Sequence, residues 1–262
     1  MPLTEMFSLD GKVAVVTGGA GHLGYPISLA LAEAGAKVYI GSTNYEKCCA
    51  AAAGISQKTD GKAKGVLIDI RSTEAIQKSF ADIALETGKI DILVNNAFYS
   101  SGQGLDMAER DWQAGLDGTA GSVFRTTREV VTYMEKAQAG SIINIASMYG
   151  LVSPDPAVYP KPEYANPPNY GAGKAAVIQF SRYAACHLAP KGIRVNSVSP
   201  GPFPTIQVQN DQEFMAALEK KVPLGRIGRP QEIKGIIVFL ASEAASYVTG
   251  ANFCVDGGWT AW

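Results

Sequence analysis

The amino-terminal part of the chain reads Lys12-Val13-Ala14-Val15-Val16-Thr17-Gly18-Gly19-Ala20-Gly21-His22-Leu23-Gly24. Residues 12–17 form a short β-branched run, and a helical pattern opens at the glycines and continues to Gly35. A strand, a glycine turn and a helix amino terminus in this order direct backbone N–H groups and a positive dipole end at a pyrophosphate. The stretch therefore predicts a dinucleotide site, although the glycine spacing alone also fits an ordinary strand–helix turn.

Further strand-like runs follow along the chain. They are residues 37–41, 63–68, 90–94, 141–146, 193–198 and 252–255. Helix-length segments lie between these runs, and such alternation is typical of a parallel sheet with helices on both faces. We therefore predict an α/β fold, a Rossmann-like doubly wound parallel sheet of about seven strands that forms a single domain over 1–262.

Length and composition agree with one enzyme-sized domain. The chain has 262 residues, of which 47% are hydrophobic, and can bury a sizeable core. A net charge of −1 provides no large positive field, which argues against nucleic acid or an anionic membrane as a partner. A small molecule is therefore the expected partner. Since no basic and apolar signal precedes residues 6–9 and no apolar run approaches about 18 residues, we expect no membrane span and a cytoplasmic protein.

Cysteine and histidine give no sign of a metal site. The cysteines show neither a disulfide framework nor ligand spacing, and the histidines are isolated, so we expect reduced thiols and no metal. The residues concerned are Cys48, Cys49, Cys186, Cys254, His22 and His187.

A candidate proton-transfer group lies in the second half of the chain. Tyr170 and Lys174 are one helical turn apart and share a face, so the ammonium of Lys174 is predicted to lower the pKa of the Tyr170 phenol. Ser147 follows an apolar strand-like run and can hydrogen-bond a substrate oxygen while Tyr170 moves the proton. Because a Tyr-x-x-x-Lys pair also occurs by chance, the rest of the sequence has to support this interpretation.

From about residue 8 to the end, the chain resembles the short-chain dehydrogenase/reductase family, and the motifs follow the order of that family. They are residues 17–24, Asp69, Asn95-Asn96-Ala97, Ser147, Tyr170, Lys174, residues 200–205 and residues 248–258. The resemblance implies that Tyr170 is the proton donor and acceptor, that Ser147 orients the substrate oxygen, and that Lys174 also holds the nicotinamide ribose.

The resemblance and the glycine turn together predict the cofactor site. Asp69 is expected at the adenine, Asn95 and Ala97 beside the cofactor, and Thr205 at the nicotinamide carboxamide. The full predicted set is Gly18, Gly21, His22, Leu23, Gly24, Ser42, Thr43, Asp69, Ile70, Asn96, Ala97, Tyr170, Lys174, Pro200, Gly201, Phe203 and Thr205.

Three positions depart from the family pattern. His22 replaces the middle glycine of the turn and is either a solvent-facing residue or a phosphate hydrogen-bond donor. Phe98 follows Asn-Asn-Ala where a glycine is usual, and it either forms a pocket wall or packs. Thr119 falls where the family carries a fourth catalytic residue, an Asn, so it is the candidate for a shorter hydrogen bond there.

The choice of cofactor depends on the end of the second strand. An acid there binds the ribose hydroxyls and repels a 2′-phosphate, whereas a base attracts one. Residues 41–44 contain neither, so NADP and NAD both remain open. The Ser42 and Thr43 hydroxyls, aided by Lys47, give a slight preference for NADP.

The interval 148–169 is longer than usual for this family and rich in proline, which stiffens a loop. Its rings and polar groups fit a polyhydroxylated ligand, although a rigid surface loop or a subunit contact also fits. The candidates in this loop are Tyr149, Tyr159, Tyr164, Asp155, Lys161, Glu163 and Asn166. The predicted substrate residues are Phe98, Ser147, Tyr149, Tyr159 and Phe203.

Residues 202–229 are expected to close over the substrate as a lid, with Phe214, Met215 and Arg226 as candidate lid residues or ordinary packing residues. Residues 106–136 are predicted to form one long helix that carries Trp112 and Phe124. By resemblance this helix contacts another subunit, and the helix 231–242 and the strand 248–255 form a second contact, which predicts a homotetramer.

The sequence thus predicts an NAD(P)-dependent oxidoreductase that interconverts a secondary alcohol or sugar hemiacetal and a carbonyl, on a sugar, sugar acid or polyol. The alternatives are a reductase of an apolar ketone or 3-oxoacyl substrate, an epimerase or dehydratase with tightly bound NAD, and a non-catalytic nucleotide-binding regulator. The motifs leave the physiological direction open.

Overall fold

The computed structural model describes residues 1–159 and 165–262. Its centre is a seven-stranded parallel sheet in the order β3-β2-β1-β4-β5-β6-β7. The strands are β1 (Val13–Thr17), β2 (Lys37–Ser42), β3 (Ala63–Leu67), β4 (Ile92–Asn95), β5 (Gly140–Ile145), β6 (Ile193–Pro200) and β7 (Asn252–Val255). The predicted Rossmann-like fold is confirmed, and β4 ends one residue later than expected.

Helices cover both faces of the sheet. They are α1 (Leu3–Met6), α2 (Gly24–Glu33), α3 (Tyr45–Ser56), α4 (Thr73–Thr87), α5 (Glu109–Leu116), α6 (Ser122–Ala137), α7 (Pro168–Leu188), α8 (Ile206–Gln209), α9 (Gln212–Lys221) and α10 (Lys234–Ala241). Short 3₁₀ turns at Met148–Gly150, Ala189–Lys191, Pro230–Ile233, Glu243–Ala245 and Trp259–Ala261 connect several of these elements.

The sheet separates two apolar cores. On one face, Val16 and Ile40 pack with Ile27 and Leu31 of α2 and Ile237 of α10. On the other face, the opposite side chains of the same strands pack with α4, α6 and α7. Because β1 and β2 are buried on both faces, their sequences read as continuous apolar runs rather than alternating ones.

The strand order reverses between β1 and β4, and this reversal places the site. β1 pairs with β2 on one side and with β4 on the other. The loops that leave the carboxyl ends of β1 and β4 therefore run in opposite directions and open a crevice, which is where ligands bind in sheets of this type.

The predicted long helix over 106–136 is wrong in one respect, because it is interrupted. A π-helical turn, Asp117–Gly121, lies between α5 and α6. Gly118 in this turn approaches the Tyr99 backbone so closely that any Cβ would meet the Tyr99 carbonyl oxygen. The wider turn thus lets the helix pass close to the loop after β4.

Candidate active site

A cleft of about 680 Å³ opens at the carboxyl ends of the strands. Its residues come from the loops after β1, β2, β3, β4, β5 and β6 and from α7, α8 and α9. Most of the predicted site residues line this cleft. The exceptions are Gly24, which lies behind the glycine turn, and Thr119.

The glycine turn is held in a form that only glycine permits. Gly18 has a φ of +64°, and a Cβ there would lie 2.9 Å from Asn96 Nδ2. A Cβ on Gly24 would collide with the Gly18 carbonyl oxygen. Glycine at both positions therefore lets the amino end of α2 pack directly on the backbone of the turn, and such a turn before a helix binds a pyrophosphate.

His22 faces solvent, as one of its two predicted roles required, and it also makes a contact that neither role included. It is exposed, and its Nε2 lies 3.1 Å from the carbonyl oxygen of Phe203 in the loop after β6. Because a carbonyl only accepts, Nε2 carries the proton in this contact. The side chain links the glycine turn to the start of the predicted lid, across a long stretch of sequence.

The end of β4 is tied to the glycine turn by hydrogen bonds. Asn96 Nδ2 donates to the carbonyl oxygens of Thr17 and Gly18 at 3.1 and 3.0 Å, and the Asn96 and Ala97 amides donate to the Thr17 hydroxyl. The predicted cofactor residue Asn96 thus positions the turn. Asn95 is buried and donates to Asn144 of β5 rather than facing the cleft.

The adenosine end of the cleft is lined by Ser42 and Thr43 on one side and by Asp69 and Ile70 on the other. The Ser42 hydroxyl donates to the Asn44 carbonyl at 3.2 Å and lies 3.0 Å from Cys48 Sγ. Lys47 is not among the cleft residues. No carboxylate lies on the Ser42 side of this end of the cleft within the described residues.

Arg71 is a cleft residue that the sequence analysis missed. It follows Asp69 and Ile70 after β3, and its guanidinium lies 4.7 Å from the centroid of the Tyr99 ring, which also lines the cleft. A cation stacked on a ring in this way is held in position. The sequence indicated this cleft residue only by placing a basic side chain shortly after the end of β3.

Ser147, Tyr170 and Lys174 come together at the middle of the cleft. Ser147 precedes the 3₁₀ turn Met148–Gly150, and its Oγ accepts a hydrogen bond from the Tyr149 amide at 3.1 Å. Tyr170 and Lys174 lie on the first turns of α7, where the predicted shared face exists. Lys174 Nζ lies 5.6 Å from the centroid of the Tyr170 ring.

The predicted electrostatic effect of Lys174 on Tyr170 is not what this geometry gives. Burial raises the pKa of the Tyr170 phenol, and the Ser147 side chain is the neighbour that acts in the opposite direction. Burial also lowers the pKa of Lys174 to about 8, and its Nζ donates to the Ile145 carbonyl at 2.6 Å. Desolvation therefore sets the direction of the shift in the pKa of Tyr170, and the ammonium of Lys174 does not reverse it.

Phe98 forms a wall beside the reacting groups. Its ring centroid lies 5.3 Å from that of Tyr170 and 5.2 Å from Lys174 Nζ, while 51% of the residue stays exposed. Of the two predicted roles, the wall is the one that this position supports.

Thr119 does not reach the cleft, which corrects the expectation of a hydrogen bond from Thr119 to the reacting groups. It is buried in the π-helical turn, and its hydroxyl donates to the Gly115 carbonyl at 2.8 Å, within its own helix. Its Oγ1 also lies against Gly173 of α7, where a Cβ would collide with it. The Thr119 side chain thus fills the contact between the π-helical turn and α7, and it is too short to extend from there into the cleft.

The substrate end of the cleft is apolar. We call its lining the substrate wall: Met148, Tyr149, Tyr159, Val208, Phe214 and Leu218. The Tyr159 ring lies 6.3 Å from that of Tyr149 and 5.4 Å from that of Phe214, so the loop after β5 packs directly on α9. Burial raises the pKa of Tyr159 well above its usual range.

The polar groups predicted for this end lie elsewhere. Asp155 bonds Lys221 of α9 at 3.0 Å, and Arg226 bonds Glu232, so neither carries free charge into the cleft. Asn166 is exposed and lines the cleft, and Met215 packs behind the substrate wall. Lys161, Glu163 and Tyr164 lie outside the described residues.

Two further properties bear on the class of protein. Over the described ranges 1–159 and 165–262, no helix is long and apolar enough to cross a membrane. In the same residues no group of His, Cys, Asp and Glu is arranged to hold a metal ion.

Comparison with known proteins agrees with the geometry. A family model described as Enoyl-(Acyl carrier protein) reductase matches residues 18–260. The 3-oxoacyl-[acyl-carrier-protein] reductase FabG of Chlamydia muridarum is 36% identical over 253 residues, which cover 95% of this chain and 98% of that protein.

Solved structures extend this likeness to the fold. A gluconate 5-dehydrogenase from Burkholderia cenocepacia J2315 in complex with NADP and tartrate has a TM-score of 0.90 and 30% identity, with all of both chains covered. An NADPH-dependent 3-quinuclidinone reductase from Rhodotorula rubra has a TM-score of 0.89 and 28% identity, covering 100% of this chain and 97% of that one.

A glycine turn at a switch point and a Ser, Tyr and Lys group in the same cleft define an NAD(P)-dependent oxidoreductase. The chain belongs to the short-chain dehydrogenase/reductase family.

Proposed function

We propose that this protein reduces a ketone on a chain-like, largely apolar substrate of the 3-oxoacyl type, with NADPH as the hydride source. The observation that carries this proposal is the substrate wall, in which aromatic and aliphatic side chains of the loop after β5 pack on α9. An apolar lining favours an acyl chain over a sugar, because each sugar hydroxyl buried without a partner costs free energy. The initial preference for a sugar thus gives way to the alternative.

The relatives support the same choice. The Chlamydia muridarum protein, a 3-oxoacyl-[acyl-carrier-protein] reductase, is similar to this chain over nearly its whole length. Activity is set by the site rather than by the fold, and the site here is apolar where the acyl chain has to lie.

The proposed chemistry assigns one task to each side chain. The Ser147 hydroxyl donates to the substrate carbonyl oxygen and orients it. The phenol of Tyr170 donates its proton to that oxygen as negative charge develops there. A reduced nicotinamide held in this cleft would supply the hydride for the carbonyl carbon. Lys174, held by the Ile145 carbonyl, is placed to bind the nicotinamide ribose and to favour return of a proton to Tyr170.

Two segments border the substrate end of the cleft and are placed to exclude water from it. Residues between 202 and 218, some of them on α8 and α9, line one side, and Met148, Tyr149, Tyr159 and Asn166 of the loop after β5 line the other. We assign these two segments the roles of lid and substrate loop, since hydride transfer benefits from a dry site.

NADPH is the proposed cofactor for reasons of charge. Ser42 and Thr43 place hydroxyls, and no carboxylate, at the end of β2, so nothing there repels a 2′-phosphate. Arg71 adds a positive charge to the same end of the cleft. The Rhodotorula rubra reductase is NADPH-dependent, and the Burkholderia cenocepacia enzyme was solved with NADP.

The test is a pair of assays on purified protein, followed by absorbance of the reduced nicotinamide. With NADPH, ethyl acetoacetate and acetoacetyl thioesters should be reduced, while gluconate with NADP should give no signal. Turnover of gluconate and none of the ketones would reverse the assignment. Turnover of no substrate, together with NAD that copurifies with the protein, would favour an epimerase or dehydratase.

Oxidation of a sugar acid is the second candidate, and one observation favours it. The Burkholderia cenocepacia neighbour is a gluconate 5-dehydrogenase with tartrate present, and it shares the fold over the whole chain. In this chain the exposed Asn166 is a polar cleft residue at the substrate end. The same pair of assays separates the two candidates.

Assembly as a homotetramer is part of the proposal. Trp112 of α5 and Phe124 of α6 are partly exposed, and Trp262 is exposed after β7, which are large apolar surfaces for a subunit to leave in water. Light scattering should give the mass of four chains, and Phe124→Glu should lower it. A monomeric wild-type protein would contradict this part.

A further inference from the structure

One hydroxyl in the substrate wall has no hydrogen-bond partner. Tyr149 is only 5% exposed, and its hydroxyl is fully buried with no donor or acceptor within reach among the described residues. Leaving such a group unsatisfied destabilises a folded protein. A phenylalanine would fill the same space without that cost, so the hydroxyl indicates a partner that the folded chain itself does not supply.

The position of Tyr149 is fixed relative to the reacting groups. Its amide donates to the Oγ of Ser147, and both residues belong to the turn that follows β5. Gly150 in this turn lies so close to Lys174 that a Cβ would be 2.8 Å from the Lys174 carbonyl carbon. The turn therefore cannot shift independently of α7, which carries Tyr170 and Lys174.

Asp155, a polar side chain of the same loop, is already paired. Asp155 bonds Lys221 and accepts from the Ala157 amide. The Tyr149 ring lines the cleft between Ser147 and the Tyr159 ring. A substrate whose carbonyl lies at Ser147 therefore has its neighbouring atoms beside Tyr149.

We infer that the Tyr149 hydroxyl determines specificity by binding a second oxygen of the substrate, next to the carbonyl that is reduced. The inference rests on the proposed function, and it deepens that function by assigning the residue that recognises the ester or thioester oxygen of a 3-oxoacyl substrate. The hydroxyl gains its missing partner when such a substrate displaces the side chains that now enclose it. A simple ketone leaves the hydroxyl unsatisfied, and that cost sets the discrimination.

The test pairs one substitution with two substrates. Ethyl acetoacetate carries the second oxygen, and heptan-2-one has the same chain length without it. In Tyr149→Phe, kcat/KM for ethyl acetoacetate should fall roughly tenfold, while kcat/KM for heptan-2-one should change by less than about twofold. Equal losses on both substrates, or no loss on either, would overturn the inference.

A stability measurement checks the premise without any substrate. Because the hydroxyl lacks a partner, ligand-free Tyr149→Phe should unfold at the same Tm as wild type or higher. A clear fall in Tm would show that the hydroxyl is already satisfied, and would overturn the inference. Tyr39→Phe is the control, since it removes a hydroxyl from another buried tyrosine that lies in the sheet core and not in the cleft. This control should leave the ratio of the two kcat/KM values unchanged.

The two levels of the proposal fail differently. A wild-type protein that reduces neither ketone overturns the proposed function and this inference with it. A wild-type protein that reduces ethyl acetoacetate, with an unchanged substrate ratio in Tyr149→Phe, overturns the inference alone.

Discussion

The two ends of the cleft are built in different ways. At the cofactor end, short segments directly after β1, β2, β3 and β4 present backbone groups and small polar side chains. At the substrate end, the loop after β5 meets α8 and α9, and the contact consists of rings and aliphatic side chains far apart in sequence. The first end follows from local sequence rules, whereas the second exists only after long-range packing. The cofactor site can therefore be predicted from the sequence, whereas the choice of substrate can be inferred only from the folded structure.

The largest effect is expected from removing the proton donor, Tyr170, which lies where the cofactor end and the substrate end of the cleft meet. Tyr170→Phe should lower kcat by about 100- to 10,000-fold, because the ring stays and only the transferable proton is lost. NADPH affinity, measured by fluorescence titration, should stay within about twofold. Tyr183→Phe, an exposed position on the same helix, is the control. Normal turnover in Tyr170→Phe would show that the proton comes from elsewhere.

Lys174 serves both ends, and its burial predicts a pH dependence of stability. Its pKa of about 8 in the folded protein lies below the ordinary value of 10.5, so between these values the unfolded chain binds more protons. The free energy of unfolding of wild type should therefore rise from pH 8 to pH 10.5, by up to about 3 kcal/mol. Urea titrations of wild type and Lys174→Met measure this difference. Parallel profiles would show that Lys174 is not destabilised by burial.

Ser42→Asp tests the cofactor end alone. A carboxylate at the end of β2 should repel a 2′-phosphate and lower kcat/KM for NADPH relative to NADH by about tenfold or more. Ser42→Asn has a similar size without the charge and should keep the wild-type ratio. If the ratio is the same in both variants, the ribose site lies elsewhere.

The smallest expected effect lies at the substrate end. Lys221 of α9 pairs with Asp155 of the loop after β5, and each side chain is 38% exposed. Since exposed pairs contribute little, Lys221→Met should raise KM for ethyl acetoacetate by less than about threefold and leave kcat unchanged. Lys220→Met, at the exposed neighbouring position, should change neither constant. A large fall in kcat would mean that this pair does more than join loop and helix.

The fold and the middle of the cleft were predictable because each depends on short patterns. The β-branched runs predicted the seven strands to within a few residues. The turn before Gly24 was predictable because its backbone has a positive φ at residue 18, a conformation that favours glycine. Ser147, Tyr170 and Lys174 converge since a strand end and the first turns of a helix meet at one sheet edge.

What escaped prediction depends on tertiary distances. The π-helical turn arises where Gly118 has to pass the Tyr99 carbonyl, and no local pattern marks it. Thr119 matched a functional position in sequence, but its short side chain bonds its own helix. The polar residues of the loop after β5 indicated a sugar, because the pairing of Asp155 with α9 cannot be seen from the loop alone.

The contact between His22 and Phe203 has a consequence for the order of events in turnover. His22 belongs to the glycine turn where the nucleotide is expected to bind, and Phe203 lies in the segment that leads into α8 and α9. One hydrogen bond thus links the nucleotide site to the segment that borders the substrate end of the cleft. We expect a nucleotide bound at the turn to affect the binding of the substrate through this contact. We expect sequential, ordered kinetics in which the nucleotide binds first and leaves last, and product-inhibition patterns that become random in His22→Ala.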